Sequence, residues 1–360
     1  MPELADIFRR HGPRYRAAFQ GRMPPSHRRA MRDIEGCRTE ALGGHAYRRQ
    51  GCGKHIYSYH SCKNRHCPKC QNPQTTGWIQ KQSALLLPVP YFLLTFTLPQ
   101  ELRLLARAHQ KSVYGILFRT SAASLKKLAC DPKYLGGEPG MVGVLHTWTR
   151  NLAFHPHVHY LVAGGALSRD GEEWMPTTAQ DYLVPVKALS LIFRAKFRRA
   201  LQKAGLPGAL PEKVWRKAWV VHCLPVGSGK KAIQYLAAYV YRVALSNSRI
   251  EKLQDGKVTF RYRKSGTRQC KRTSLEANEF MRRFLQHVLP KGFAKIRYYG
   301  FLSSTKRKRL AKLQAQLAAH SPADDEHPKP APALREPLHC PHCGGRLSLL
   351  GRLSRQRGPP

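Results

Sequence analysis

The sequence predicts an α+β protein with a small metal-stapled module near its N-terminus. Segments such as YFLLTFTLP (91–99), GMVGVLHTW (140–148) and HVHYLVAGG (157–165) gather apolar and β-branched residues into runs of strand length bounded by Pro and Gly. Residues 100–128 and 188–205 instead repeat their apolar positions at helical spacing. Residues 37–70 are rich in Cys, His, Gly and Tyr, too polar for an ordinary core and better suited to a metal staple. At 360 residues the chain exceeds what one core usually holds, so a central domain with smaller modules at either end is expected.

Taken in order, residues 1–30 read as a basic N-terminal arm, helical in places and broken at Pro24-Pro25, either solvated or touching DNA. Residues 31–75 form the zinc-binding module. The run LLLPVPYFLLTFTL (85–98) is a buried strand with its lead-in, and 100–128 a long helix. Two strands then flank TRNLAFHP (149–156), a turn of hairpin length. A basic amphipathic helix at 188–205 and a strand within 213–226 lead to the helix KKAIQYLAAYVYRVAL (230–245), which closes a central domain at 85–250. The extension 251–304 contains the strand KVTFRYRKSG (257–266), a helix stopped by Pro290, and the basic aromatic stretch 292–304. A charged helix and a Pro-rich linker fill 305–337, and 338–360 is a tail with one Cys-x2-Cys pair. There is no internal repeat.

Lys and Arg number 62 against 21 acids, and the formal charge of +41 is spread along the chain. A compact fold with that charge repels itself unless a polyanion neutralises it, and nucleic acid is the natural partner. A membrane surface is disfavoured: the longest apolar run is short and carries two prolines, and no basic amphipathic helix stands out as a surface anchor. No secretory signal pattern is present, so a cytoplasmic (bacterial, nucleoid-associated) protein is expected, in which ten cysteines are more readily metal ligands than disulfides.

The chemistry concentrates in His155-Pro156-His157-Val158-His159 and in Tyr235 and Tyr239. His157 and His159 share one face of a strand and can grip a divalent cation, with Val158 pointing the other way. His146 lies on the preceding strand and could add a third imidazole across an antiparallel hairpin. His155, placed before Pro156, is the competing third ligand, and Gln234 a weaker alternative. Tyr235 and Tyr239 share a helix face, whereas Tyr241 is turned roughly 120° away from Tyr235. A phenol with a reference pKa of about 10 is a poor nucleophile, so attack on a phosphodiester needs a cation, Mg2+ or Mn2+, to make the phosphate more electrophilic. Such attack would leave a 5′-phosphotyrosine and a free 3′-hydroxyl. Arg242, Lys230 and Lys231 could hold flanking phosphates.

Cys62-x4-Cys67-x2-Cys70 supplies three thiolates at ligand spacing, and Cys52 ten residues upstream is the expected fourth, closing a structural Zn2+ site. Cys37, His45, His60 and His66 are further candidates. Lys54, Lys63, Arg65 and Lys69 suit DNA contact by the module. Cys340 and Cys343 would need His339, His342 or a partner to complete a site, and Cys130, Cys223 and Cys270 are isolated. Lys291, Lys295, Arg297, Tyr298, Tyr299 and Phe301 interleave cations with aromatics, as a track for unstacked DNA bases or as a packed strand. Arg194, Lys196, Arg198 and Arg199 suit a phosphate-facing surface.

Five stretches carry a family resemblance: CRTEALGGHAYR (37–48), SCKNRHCPKCQ (61–71), HTWTRNLAFHPHVHYLVAGG (146–165), YLAAYVYR (235–242) and EFMRRFLQHVLPKGFAKIRYYGF (279–301). In their order and spacing the chain resembles the two-tyrosine, rolling-circle HUH transposases of the insertion-sequence ninety-one family over most of 30–302. The resemblance implies an antiparallel sheet flanked by helices with the histidines on a central strand, His157 and His159 as ligands of the catalytic cation, and Tyr235 and Tyr239 as nucleophiles that hold two cleaved strands. The family pattern has Cys-x2-Cys where this chain reads Arg49-Gln50-Gly51-Cys52, which leaves the number of zinc ions open. The alternatives are a plasmid replication initiator or relaxase of the same superfamily, and a zinc-bearing DNA-binding regulator without catalysis. A site of three carboxylates and two metals is disfavoured by the scarcity of acids.

Overall fold

A computed structural model describes residues 1–206, 210–240, 244–263, 267, 269–318, 338–340 and 343–356, apart from the side chains of 71–76, 230, 232, 235, 238 and 239. Helices α1 (Leu4–Ala18) and α2 (Pro25–Glu35) open the chain, followed by the hairpin β1 (Gly44–Arg49) and β2 (His55–Tyr59) and by α3 (Gln71–Ser83). Strand β3 (Pro90–Thr97) leads to α4 (Arg103–Ala108) and α5 (Gln110–Ala129), the expected single helix being interrupted where His109 leaves helical geometry at φ −123° and ψ 49°. The long strands β4 (Glu138–Trp148) and β5 (Phe154–Leu167) precede β6 (Trp174–Pro176), α6 (Val186–Lys203), α7 (Lys213–Arg216), β7 (Val221–Ser228) and α8 (Gly229–Val240). A three-stranded meander, β8 (Ile250–Gln254), β9 (Lys257–Arg263) and β10 (Cys270–Glu276), is followed by α9 (Ala277–Leu285), β11 (Ile296–Tyr299), α10 (Arg307–Ala318) and β12 (Leu347–Leu353).

The fold is α+β, with antiparallel sheets flanked by helices. The main sheet runs β11-β4-β5-β3-β7, with β6 added to β5, so the strand bearing the three spaced histidines lies at its centre. Alternation along β5 sends Val158, Tyr160 and Val162 into a core shared with α5 and α6. Leu161 and Ala163 point the opposite way, into a core with Trp78 of α3, Ile233, Leu236, Ala237 and Val240 of α8, and Leu310 and Leu313 of α10. Residues of the parity of Leu161 on β5 and of Val142 and Val144 on β4 therefore lie under α8.

Four sequence expectations change here. The N-terminal segment is not a solvated arm, because Ile7, Phe8 and Tyr15 are buried with Met31 and Ile34, and the Phe8 ring meets Phe284 of α9 edge-on at 5.7 Å. Pro25 starts α2, where its missing N–H is not needed. The C-terminal tail joins the zinc module: β12 pairs antiparallel with β1, from Gly44↔Leu353 to Arg49↔Leu347. His155 and Pro156 lie inside β5 and not in the turn, and β11, from the expected extension, is an edge strand of the main sheet. The linker 320–337 lies outside the described residues.

Candidate functional site

Parity places His146 on β4 and His157 and His159 on β5 on the face covered by α8, and the ladder sets His146 directly opposite His157. The ring centroids of His157 and His159 are 4.8 Å apart, and His146 lies 5.4 and 5.2 Å from them. One nitrogen from each of the three comes within 4.8 Å of the others. His155 does not join them; its Nδ1 accepts a hydrogen bond from Arg103 Nη2 at 3.1 Å. Gln234 is exposed on α8.

The surroundings fix the orientation and charge of these imidazoles. His157 Nδ1 donates to the His155 carbonyl at 2.7 Å, which leaves Nε2 with its lone pair. His159 Nδ1 is paired with the Thr95 hydroxyl at 2.8 Å, held there by the Thr95↔His159 register. The indole of Trp148 stacks on His146 at 4.6 Å and 22°. Burial lowers His157 to about 4 and His159 to about 3, so both are neutral at physiological pH. A compact set of neutral nitrogens, oriented by a carbonyl and a hydroxyl, fits a divalent cation that keeps its other positions for phosphate and water. Thr95 went unnoticed in the sequence, although a threonine in an apolar strand at the parity of Tyr91 was its signal. His222, opposite Thr95 and exposed on the same face, was also missed.

Helix α8 covers this face through Ile233, Leu236, Ala237 and Val240, spaced one and two turns apart. Tyr235 and Tyr239 lie on α8, but their side chains, and Arg242 entirely, fall outside the described residues. Lys231 is exposed. Lys295, expected on DNA, turns inward: its Nζ donates to the Val240 carbonyl at the end of α8 at 2.8 Å and lies 5.1 Å over the Trp148 ring. The other residues expected on an open aromatic track pack with β11. Arg297 stacks over Phe118 at 4.5 Å, Tyr299 meets Tyr160 at 6.1 Å, Tyr298 lies beneath Arg307, and Phe301 is fully buried. Pairing to β4 covers one edge of Arg297, Tyr298 and Tyr299. Lys291 stays exposed and, with Arg29, Arg32 and Lys63, lines a cleft of about 640 Å³ beside the cysteine knuckle.

A second cluster corrects the zinc ligand set. The thiols of Cys37, Cys62, Cys67 and Cys70 converge, all within 4.8 Å of one another. Cys70 Sγ lies 3.5 Å from Cys37 Sγ and 3.6 Å from Cys62 Sγ. Tetrahedral zinc with bonds of about 2.3 Å requires S···S separations of about 3.8 Å, within a few tenths of an ångström of the two Cys70 distances. Hydrogen bonds with Cys62 and Cys67 bring Cys37 down to about 2, and the same pairing pushes Cys62 up to about 12 and Cys67 higher still. Thiols so crowded cannot all ionise without a cation among them. Cys37 takes the place expected for Cys52, which sits exposed in the β1–β2 turn with its sulfur 3.8 Å from Arg49 Nη1. The flanking glycines in Gly51-Cys52-Gly53 were the signal for that turn.

The remaining module candidates have other partners. His45 faces His60 at 5.0 Å, and His66 Nε2 accepts from Leu289 N at 3.4 Å. Arg65 donates to the Phe293 and Pro290 carbonyls, and Lys69 pairs with Glu3. Lys54 and Lys63 are exposed. On α6, Arg194 donates to the Lys217 carbonyl and Arg198 pairs with Glu212.

Residues 7–98 match the family model Zn_Tnp_IS91, a transposase zinc-binding domain, and 140–309 match Y2_Tnp, described as "Putative transposase". The zinc-domain match includes most of α1, in line with the packing of the N-terminal helices. The chain is 41% identical over 351 residues to "Putative transposase y4qJ" of Sinorhizobium fredii, covering 91% of this chain and 87% of that protein. It is 28% identical over 357 residues to the transposase for insertion sequence element IS801 of Pseudomonas savastanoi pv. phaseolicola, covering 90% and 85%. Among solved structures, the conjugative relaxase TrwC in complex with OriT DNA aligns over 63% of this chain and 71% of its own at 14% identity and a TM-score of 0.25, too slight a likeness to carry an argument. With both domain models matched in order and a relative this similar along nearly its whole length, the chain belongs to the IS91 family of transposases.

Proposed function

We propose that this transposase nicks and rejoins single-stranded DNA at the ends of its element through a 5′-phosphotyrosine, with Tyr235 and Tyr239 as nucleophiles and His146, His157 and His159 as the ligands of Mg2+ or Mn2+. The observation that carries this reading is the three-histidine cluster on the sheet face covered by the tyrosine helix. A divalent cation held there would polarise a non-bridging oxygen of the scissile phosphate and stabilise the departing charge. The protein's own contribution is positional. The carbonyl of His155 and the hydroxyl of Thr95 fix the imidazoles, and Lys295 ties the end of α8 to the histidine strands through Val240 and Trp148. As the phenolic oxygen gives up its proton and bonds to phosphorus, the bond to the 3′ oxygen breaks and that oxygen takes up a proton, so one phosphate ester replaces another and the step is reversible by another 3′-hydroxyl.

The test is incubation of the full chain with labelled single-stranded element ends and Mn2+, followed by a denaturing gel. A covalent protein–DNA band should form, vanish with chelator, return on adding Mn2+ back, and be missing from the Tyr235→Phe/Tyr239→Phe variant. A band that survives both treatments refutes the mechanism.

A further inference from the structure

We propose that a cleft of arginines at the tip of the histidine hairpin binds the phosphodiester backbone of a single DNA strand next to the scissile phosphate; this rests on the reading above for its substrate. The cleft, about 330 Å³, is lined by Arg150, Arg249, Arg261, Tyr262, Arg263 and Cys270. Among the described residues its lining contains four guanidinium groups and no acid. Among the described residues none of Arg150, Arg261 and Arg263 has a carboxylate within 4.0 Å.

The sequence builds this arrangement in two steps. Burial of Val258 and Phe260 fixes the inner face of β9, and alternation then puts Arg261 and Arg263 on its exposed face. Arg249 pins the meander to the hairpin, its Nε donating to the Arg261 carbonyl at 2.8 Å and its Nη2 to the Arg150 carbonyl at 2.5 Å. Arg261 Nη2 donates to Ser248 O at 3.1 Å, which leaves most of its five donors for a ligand. Arg150 follows His146 by four residues, so a phosphate held there lies within about 14 Å of chain from the cation ligands. Arg249 follows the end of α8 at Val240 by nine residues in the chain.

The opposite flank of the hairpin tip provides the contrast. That cleft also gathers four arginines, Arg103, Arg107, Arg282 and Arg283, and Glu279 bonds the last two at 2.6 and 2.7 Å. Among the described residues Arg150, Arg261 and Arg263 have no such acid. Guanidinium groups crowded without a counter-charge repel one another and match the oxygens of phosphates bidentately.

The test measures fluorescence anisotropy of a labelled single strand on the full chain, without added Mg2+ or Mn2+, across a salt series. Arg261→Gln/Arg263→Gln should weaken binding at least tenfold at 0.15 M salt and lower the log–log salt slope by about 1.4, or 0.7 per lost phosphate contact. Lys187→Gln/Lys203→Gln on α6 removes the same charge from exposed positions beside the other core and should leave the slope near that of the wild type. Arg261→Lys/Arg263→Lys should restore the slope, which a merely unfolded protein could not do. Equal affinity and slope in the two Gln variants overturns the proposal. The readout needs no cleavage, so the cleft can stand if the tyrosine mechanism fails, and the reverse.

Discussion

Replacing Cys37 by Ser should strip the tight zinc site, whereas replacing Cys52 should leave it intact. The four converging sulfurs, 3.5 and 3.6 Å apart where they touch, need little movement to close on one ion. Structural zinc contributes roughly 10–16 kcal/mol in small zinc modules, or about 2.5–4 kcal/mol per ligand if shared equally. Loss of Cys37 should therefore weaken zinc on the order of 100- to 1000-fold. The assay is competition for zinc between the full chain and a chromophoric chelator, with unfolding followed in parallel. Cys37→Ser should give up zinc at chelator concentrations the wild type resists and lose cooperativity around α2, because Cys37 follows that helix, its N–H donates to the Ile34 carbonyl, and its side chain is fully buried. If Cys52→Ser loses this zinc as readily as Cys37→Ser, or Cys37→Ser binds as the wild type does, the assignment is wrong.

Thr95→Val keeps the volume at His159 but removes the hydroxyl that orients its ring, and should weaken Mn2+ binding by about 10- to 100-fold in calorimetric titration. Metal-free protein should lose stability as pH falls, because His157 and His159, lowered by burial to about 4 and about 3, stay neutral while their unfolded counterparts gain protons below about 6.5. Between pH 7.5 and 5.5 the two should together remove on the order of 2–3 kcal/mol, measured by urea unfolding; a flat or rising profile contradicts their neutrality. Gly143→Ala places a Cβ 2.5 Å from Cε1 of Tyr160, a ring held by bonds from its hydroxyl to Ser121 and Phe118 O. It should destabilise by about 1–3 kcal/mol in the same experiment.

Much of the main sheet was legible because its strands are apolar enough to be recognised without context. The runs around Phe92, Val144 and Leu161 could hardly be solvated, and the two-residue spacing of His157 and His159 survives as a shared face. What escaped reading depended on distant partners. The N-terminal helices carry so many arginines that Ile7 and Phe8 looked incidental until Phe284 closed over them. Strand β12 forms only because β1, about three hundred residues earlier, offers an edge. Spacing alone favoured Cys52 over Cys37; the β1–β2 hairpin decides the matter by carrying Cys52 to its tip while α2 delivers Cys37 to the knuckle. Lys295 resembled any basic residue among aromatics, and only the end of α8 beside it shows why its ammonium faces inward.

The central claim, that a tyrosine of α8 attacks DNA beside the three-histidine cation site, is tested most directly by the identity of the modified residue. Protein trapped on an element-end single strand with Mn2+ can be digested with trypsin and nuclease, which releases the peptide spanning 232–242 with its three tyrosines. Fragment masses should place a 5′-linked nucleotide on Tyr235 or Tyr239 and none on Tyr241, and no adduct should form after His157→Ala/His159→Ala. A nucleotide on any other residue, or an undiminished adduct in the histidine variant, would contradict the account.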